Sequence, residues 1–288
     1  MLQEKTKKSY CRVTGIVANE AHVCVLLRRG PSKWTQMIKW NTNNDSFNNG
    51  EWFNGRVYEN YLDISPDGKY VIYLVSKFNR HLIDLEKKYP NYWSVISKAP
   101  YFDSLYSWSN NNRGWNGSGL FLSNSTIQLN QKEDELTQLL SKTDKKFNFE
   151  TRSEITENVE HITDKIIYKS NWKQIQEFKY QYDKKLKIKT IQSGIWEKKS
   201  WKGDLLRRTL KAYSVKSYGR NQIEEYDYLD KQGNIYPLKN VFWADFDFND
   251  KLIYTKYGKV YRAEFTESFQ EYELIDLNEH KPPSSASH

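Results

Sequence analysis

Read for hydrophobic and polar positions alone, the chain divides into short apolar runs separated by tight polar turns. The clearest unit is YLDISPDGKYVIYLV at residues 61–75. Asp63 to Ser65 close one strand, Pro66 presets φ at the first central turn position, and Asp67-Gly68 tolerates a left-handed backbone. The run that follows, KYVIYLV, is continuously apolar instead of alternating, the pattern of a strand covered on both faces. The unit returns in GLFLSNSTIQLN (119–130), turning at Ser123-Asn124, and in EEYDYLDKQGNIYPL (224–238), turning through Asp230 to Gly233. ADFDFNDKLIYTKYGKVYRAEF (244–265) turns twice, at Asn249-Asp250 and at Tyr257-Gly258.

Further strands are predicted at 21–29, 33–41, 177–183, 185–191 and 208–216. In EFKYQYD, Phe178, Tyr180 and Tyr182 share one face and the polar residues the other, as in a strand buried on one side. Helical spacing is confined to HLIDLEKKY (81–89), DELTQLL (134–140) and TRSEITENV (151–159), the last opening on a Thr151/Glu154 capping box.

Many short antiparallel strands whose central members are buried on both sides predict sheets stacked radially, since blades packed face to face cover their inner strands. The expected fold class is therefore all-β: a β-propeller of five to six blades, at roughly 40 to 50 residues per four-stranded blade, with a partly helical, polar insertion near 131–163. One such domain over 1–278 and a flexible tail at 279–288 is the expected organisation, with a two-sheet sandwich or two small β domains as the competing architecture.

Composition supports a folded β protein: 10 Trp, 21 Tyr and 13 Phe stand against 13 Gly and 7 Pro. The longest apolar runs, Val23 to Leu27 and Tyr70 to Val75, fall far short of the roughly 18 residues of a membrane helix. The first residues carry positive charge without the apolar core of a secretory signal, so the expected location is cytoplasmic. Cys11 and Cys24 are too few for a disulfide framework in a chain of 288 residues.

The segments LLRRGPSKWTQMIKWNT, WFNGRVYENYLDISPDGKYVIY, SKAPYFDSLYSW, GWNGSGLFL and WADFDFNDKLIYTKYGKVYRAEF resemble successive parts of an uncharacterised bacterial family with WD40-like or TolB-like propeller repeats. The resemblance covers most of 20–130 and 240–278 and is weak between them. It implies the propeller fold, no catalytic residues, and a subunit of a bacterial multi-protein assembly of defence or toxin-neutralising type.

Each candidate chemistry meets a competing structural reading. Asp245, Asp247 and Asn249 alternate like the early ligands of a calcium loop, but Asp250 stands where the loop needs glycine and Lys256 where it needs a bidentate carboxylate. A strand with Phe246 and Phe248 on one face, running into a turn, accounts for the same residues. Asp63, Glu59 and Asp245 are imaginable as the paired carboxylates of a propeller glycosidase, a chemistry that needs two acids ~5 to 9.5 Å apart. GWNGSG (114–119) lacks the Gly-Lys-Ser/Thr ending and the following helix of a phosphate loop, so a turn under Trp115 is expected. Histidines 22, 81, 161, 280 and 288 form no ligand or nucleophile pattern. No metal, cofactor or catalytic residue is expected.

The formal charge of +8 is concentrated: between Lys184 and Arg220 stand twelve basic residues and two acidic ones, a local +10 that leaves the rest near −2. Lys198, Lys199, Trp201, Lys202, Arg207, Arg208 and Lys211 mix positive charge with an aromatic ring, suited to phosphates and bases or to an acidic protein surface. Arg28, Arg29, Lys33 and Trp34 form a second basic-aromatic patch around a turn. The sequence thus reads as a non-enzymatic protein-interaction scaffold with an acidic protein partner. A nucleic-acid-binding subunit using 184–220 is the first alternative and a carbohydrate-active hydrolase the second.

Overall fold

The computed structural model describes residues 9–30, 33–77, 92–110, 117–131, 139–141, 147–151, 162–183, 188–213, 222–265 and 268–284. Its first sheet is a meander of β1 (Arg12–Val17), β2 (Val23–Arg29), β3 (Trp34–Asn41) and β4 (Ser46–Asn54). The second is a meander of β5 (Arg56–Ile64), β6 (Tyr70–Ser76), β7 (Tyr92–Lys98) and β8 (Ser104–Ser109). The third begins with β9 (Gly119–Phe121) and β10 (Thr126–Leu129). The chain then adds β11 (Leu139–Ser141) to the free edge of β8 and β12 (Asn148–Glu150) in parallel to β10. After α1 (Ile162–Lys169), the strands β13 (Lys173–Gln176), β16 (Gly194–Lys199), β17 (Leu205–Tyr213), β18 (Gln222–Leu229) and β19 (Ile235–Leu238) make the fourth sheet. The hairpin of β14 (Lys179–Asp183) and β15 (Ile188–Gln192) interrupts it. A last meander holds β20 (Val241–Phe246), β21 (Leu252–Lys256), β22 (Lys259–Phe265) and β23 (Phe269–Asp276).

The turns between these strands share one chemical device. Ser65, Ser200, Asp230 and Asp247 each turn a side-chain oxygen onto two following backbone N–H groups, as when Ser65 Oγ accepts from Lys69 and Tyr70 at 3.1 and 2.9 Å. Three residues on, the backbone is left-handed, at Gly68 (φ 70), Gly203 (φ 98), Gly233 (φ 87) and Asp250 (φ 64). Gly68 is doubly required: a Cβ there would lie 2.6 Å from the Val23 side chain of the first sheet.

Radial packing follows from which strands meet. β1 packs against β20 of the last sheet and β5 of the second, β5 against β9 of the third, and β18 against β20. The first strands β1, β5, β9 and β20 of four sheets therefore pack in series, the fourth sheet joins through β18, and the cores lie between sheets, as in a β-propeller. The expected all-β propeller with buried central strands is what forms; β6, for example, is buried from Val71 to Ser76. One core joins sheets one to three with Ile162 and Ile166 of α1, and another joins the fourth and last sheets around Trp196, Tyr228 and Phe246, with Ile167 and Trp172 packed in. Helix α1 thus bridges the third and fourth sheets. The first and last sheets close on each other through Cys24, Leu26, Trp40, Ile253 and Val260, with Thr255 Oγ1 donating to Val13 O at 2.5 Å.

One expectation changes. DELTQLL was expected to be helical, but Leu139–Ser141 is strand β11, captured by the unpaired edge of β8, since an edge offers backbone partners that a short isolated helix lacks. The one described helix is α1, whose Ile162 and Ile166 are buried while Asp164 and Lys169 suit the dipole at its two ends. HLIDLEKKY, Trp115 and most of TRSEITENV lie outside the described residues.

Candidate interaction surface

Turns from successive sheets meet edge to edge along one rim of the ring. Asp67 N donates to Asn124 Oδ1 at 2.9 Å, joining the second and third sheets, and Glu20 N donates to Pro66 O at 2.9 Å, joining the first and second. The His22 ring meets Phe248 edge-on at 4.9 Å, joining the first and last. Lys202 N donates to Asp250 Oδ2 at 2.8 Å, joining the fourth and last. Side-chain caps at Ser65, Ser123, Ser200 and Asp247 and the contacts between neighbouring turns fix the rim.

The residue after the cap is exposed in three of these turns, at Trp201, Lys231 and Phe248; its counterpart Pro66 is buried, where Glu20 N meets its carbonyl. Trp201 is 96% exposed and Phe248 46%. With Lys202, Asn249 and Asp250 they line a shallow depression of about 340 Å³. Alternation along ADFDF predicts Phe248 on one strand face with Phe246, but β20 ends at Phe246. The Asp247-to-Asp250 cap, matching Ser200-to-Gly203, is the signal that would have put Phe248 beside Trp201 at the rim.

The other expected binding residues fall into two groups. Lys198 is fastened to Asp245 at 2.5 Å, Arg207 to Glu197 at 2.8 Å, Arg208 to Glu224 at 2.6 Å and Lys211 to Glu225 at 2.6 Å. Arg208 also lies 5.6 Å over the Trp196 ring. Register explains the pairing: β17 places Arg207 opposite Glu197 of β16, and its Arg208 and Lys211 reach acids supplied by β18. These acids lie partly outside the 184–220 window, which is why counting charge within it overstated the field. Lys199 and Lys202 stand exposed beside Trp201, with no ion pair among the described residues.

In the second patch, Arg28 is 3% exposed and donates through Nε to Leu277 O at 3.1 Å and through Nη2 to Asn278 O at 3.3 Å. It also covers the Trp52 ring at 5.1 Å. Arg28 thereby seals the first sheet onto the chain after β23. Arg29 pairs with Glu59 at 3.6 Å, Lys33 is exposed and Trp34 half-buried, so this patch presents little free charge.

The carboxylates considered for acid–base chemistry are also accounted for. Asp63, 1% exposed, receives Lys169 Nζ at 2.6 Å and Phe121 N at 2.7 Å. Asp63 and Asp245 occupy the same place, two residues before a turn cap, and each is tied to a lysine from another element. Burial raises the carboxyl pKa of both, with Lys169 and Lys198 pulling the values partly back. Asp247 is raised by burial too, opposed by N–H groups of its own turn and by the Arg262 guanidinium. Cys11 and Cys24 are free and buried, and burial pushes both thiols up. Among the described residues no helix is long and apolar enough to cross a membrane.

No family model matches the chain, and no curated protein does. Among solved structures, an uncharacterised protein from Listeria monocytogenes EGD-e matches at 11% identity and TM-score 0.30, covering 96% of this chain and 86% of its own. The β-propeller domain of the Trilobed protease from Pyrococcus furiosus, described as having an open velcro topology, matches at 13% identity and TM-score 0.31, covering 98% of this chain and all of its own.

Proposed function

We propose that the protein is a non-enzymatic interaction scaffold whose contact surface is the rim around Trp201, and that it works as a subunit of a multi-protein assembly. The observation that carries this reading is Trp201 itself, 96% exposed at the tip of a capped turn with a second aromatic, Phe248, beside it. Leaving an indole in water forgoes the stabilisation its burial would bring, about 2–3 kcal/mol for a large apolar side chain. Tryptophan is also the residue type most enriched at the energetic centres of protein interfaces. Rigid turns add to this, since a preorganised surface loses less entropy on binding.

Among the described residues, association with a nucleic acid is supported by Lys199, Trp201 and Lys202, because Lys198, Arg207 and Arg208 are held by partly buried acids and Lys211 pairs with the exposed Glu225; Lys184, Lys185, Lys187, Lys216 and Arg220 lie outside the described residues. Glycosidase chemistry finds its candidate acids Asp63 and Asp245 held by lysines and closed from solvent. The test is co-purification from the native host of the wild-type chain and of Trp201→Ala. A stoichiometric partner retained by the first and lost by the second supports the reading; equal retention by both refutes the assignment of this surface.

A further inference from the structure

The depression between Trp201 and Phe248 has features that select a partner chemistry, given that the rim is a contact surface as proposed above. We infer that it takes an uncharged, extended, proline-containing segment of the partner protein. Charge comes first. Lys199, Lys202 and Lys231 are offset on the same turns by Asp204, Asp230 and Asp250, whose oxygens are also engaged by backbone N–H groups. Three positive and three negative charges leave the face without a net field, so its electrostatic complement is a neutral segment, neither an acidic peptide nor a phosphate backbone.

Shape comes second. A depression of about 340 Å³ bounded by two turns holds a few residues of extended chain; a helix, with its side chains about 10–12 Å across, has no groove to lie in. Two aromatic side chains flank it, the lining by which polyproline II segments are commonly recognised. Polar complement comes third. A polyproline II backbone makes no internal hydrogen bonds, so its carbonyls need donors. The exposed indole N–H of Trp201, the amide of Asn249 and the ammonium of Lys202 supply them. Both sides are preformed, the turns by their caps and the segment by proline's fixed φ.

The experiment is an anisotropy titration of a fluorescein-labelled oligoproline of about eight residues, a length chosen to span the depression at ~3.1 Å per residue. An oligoglutamate peptide and a mixture of soluble oligosaccharides serve as unlabelled competitors. The expected result is saturable binding that weakens at least about tenfold in Trp201→Ala, the loss of a hot-spot anchor. It weakens less in Phe248→Ala, and it changes by under about twofold when salt is raised from ~50 to ~200 mM, because no counterions are released. Absence of saturation at millimolar peptide overturns the inference, as does an unchanged affinity in Trp201→Ala or preferential displacement by oligoglutamate or sugar. If the native partner still depends on Trp201 while oligoproline neither binds nor competes, the contact surface stands and the proline chemistry falls.

Discussion

Removing the Lys169 cation, by Lys169→Met, tests how helix α1 is locked into the ring. Lys169 Nζ sits 2.6 Å from Asp63 Oδ2 and 2.8 Å from Ile64 O, and the side chains are 15% and 1% exposed. Methionine keeps most of the stem's packing while leaving Asp63 buried with only the backbone N–H groups of Phe121 and Ile64 as described donors. Breaking a buried pair from one side costs about 3–5 kcal/mol, and the partial exposure of Lys169 points to the lower end, about 3 kcal/mol. Urea unfolding at pH 7.5 is the assay, read as a lower midpoint at unchanged slope. The pH dependence supplies a second readout. Burial already raises Asp63 above its unfolded value, and losing the lysine raises it further. Stability from a raised carboxyl is present below the unfolded pKa and lost as pH rises through the folded one. The deficit of Lys169→Met therefore shrinks between pH 7.5 and pH 5, and Asp63→Asn added to Lys169→Met recovers part of it. A deficit below about 0.5 kcal/mol at pH 7.5, the range of an ordinary surface change, would refute the docking of α1 on the inner strands.

Trp201→Ala leaves the urea midpoint within about 0.5 kcal/mol of wild type, since a side chain 96% in solvent packs nothing. Trp40→Ala, at a fully buried indole between the first and last sheets, costs about 3–5 kcal/mol by the same measurement. Gly68→Ala is destabilising by more than about 1 kcal/mol, combining a φ of 70° with a 2.6 Å approach to Val23. At the turn of the fourth sheet Asp230 is held below the usual carboxylate range by hydrogen bonds from Asn234 and Gln232. Its contribution is present above the unfolded pKa and fades as pH falls through the folded one, so Asp230→Ala costs stability at pH 7 and costs less near pH 3, read by thermal unfolding at each pH.

The strands with continuous apolar character, β2, β6 and β21, were legible because burial on both faces leaves a run that no amphipathic element shows. The turns were legible from Pro66, Asp67 and Gly68, and at Asn249-Asp250 and Tyr257-Gly258, where the backbone does turn left-handed at Asp250, Tyr257 and Gly258. Strand β11 was hidden because Leu139 and Leu140 carry a helical spacing and what decides their state is the distant edge of β8. Helix α1 was hidden because a single turn or two of amphipathic pattern in a polar stretch looks like loop until the cores that receive Ile162 and Ile166 are known. At the candidate site, Trp201 and Lys202 were found from their neighbours in sequence. Phe248 came to them across sheets, and the acids that neutralise Arg208 and Lys211 came from β18.

The rim around Trp201 is the proposed place where a partner is held. A photo-crosslinking amino acid installed at position 201, with the same group at Tyr257 as an exposed control outside the depression, measures this directly in cells of the native host. The prediction is a single covalent adduct of defined mass from position 201 and none of that mass from position 257. Equal adducts from both positions, or none from 201 while the partner still co-purifies, would contradict it.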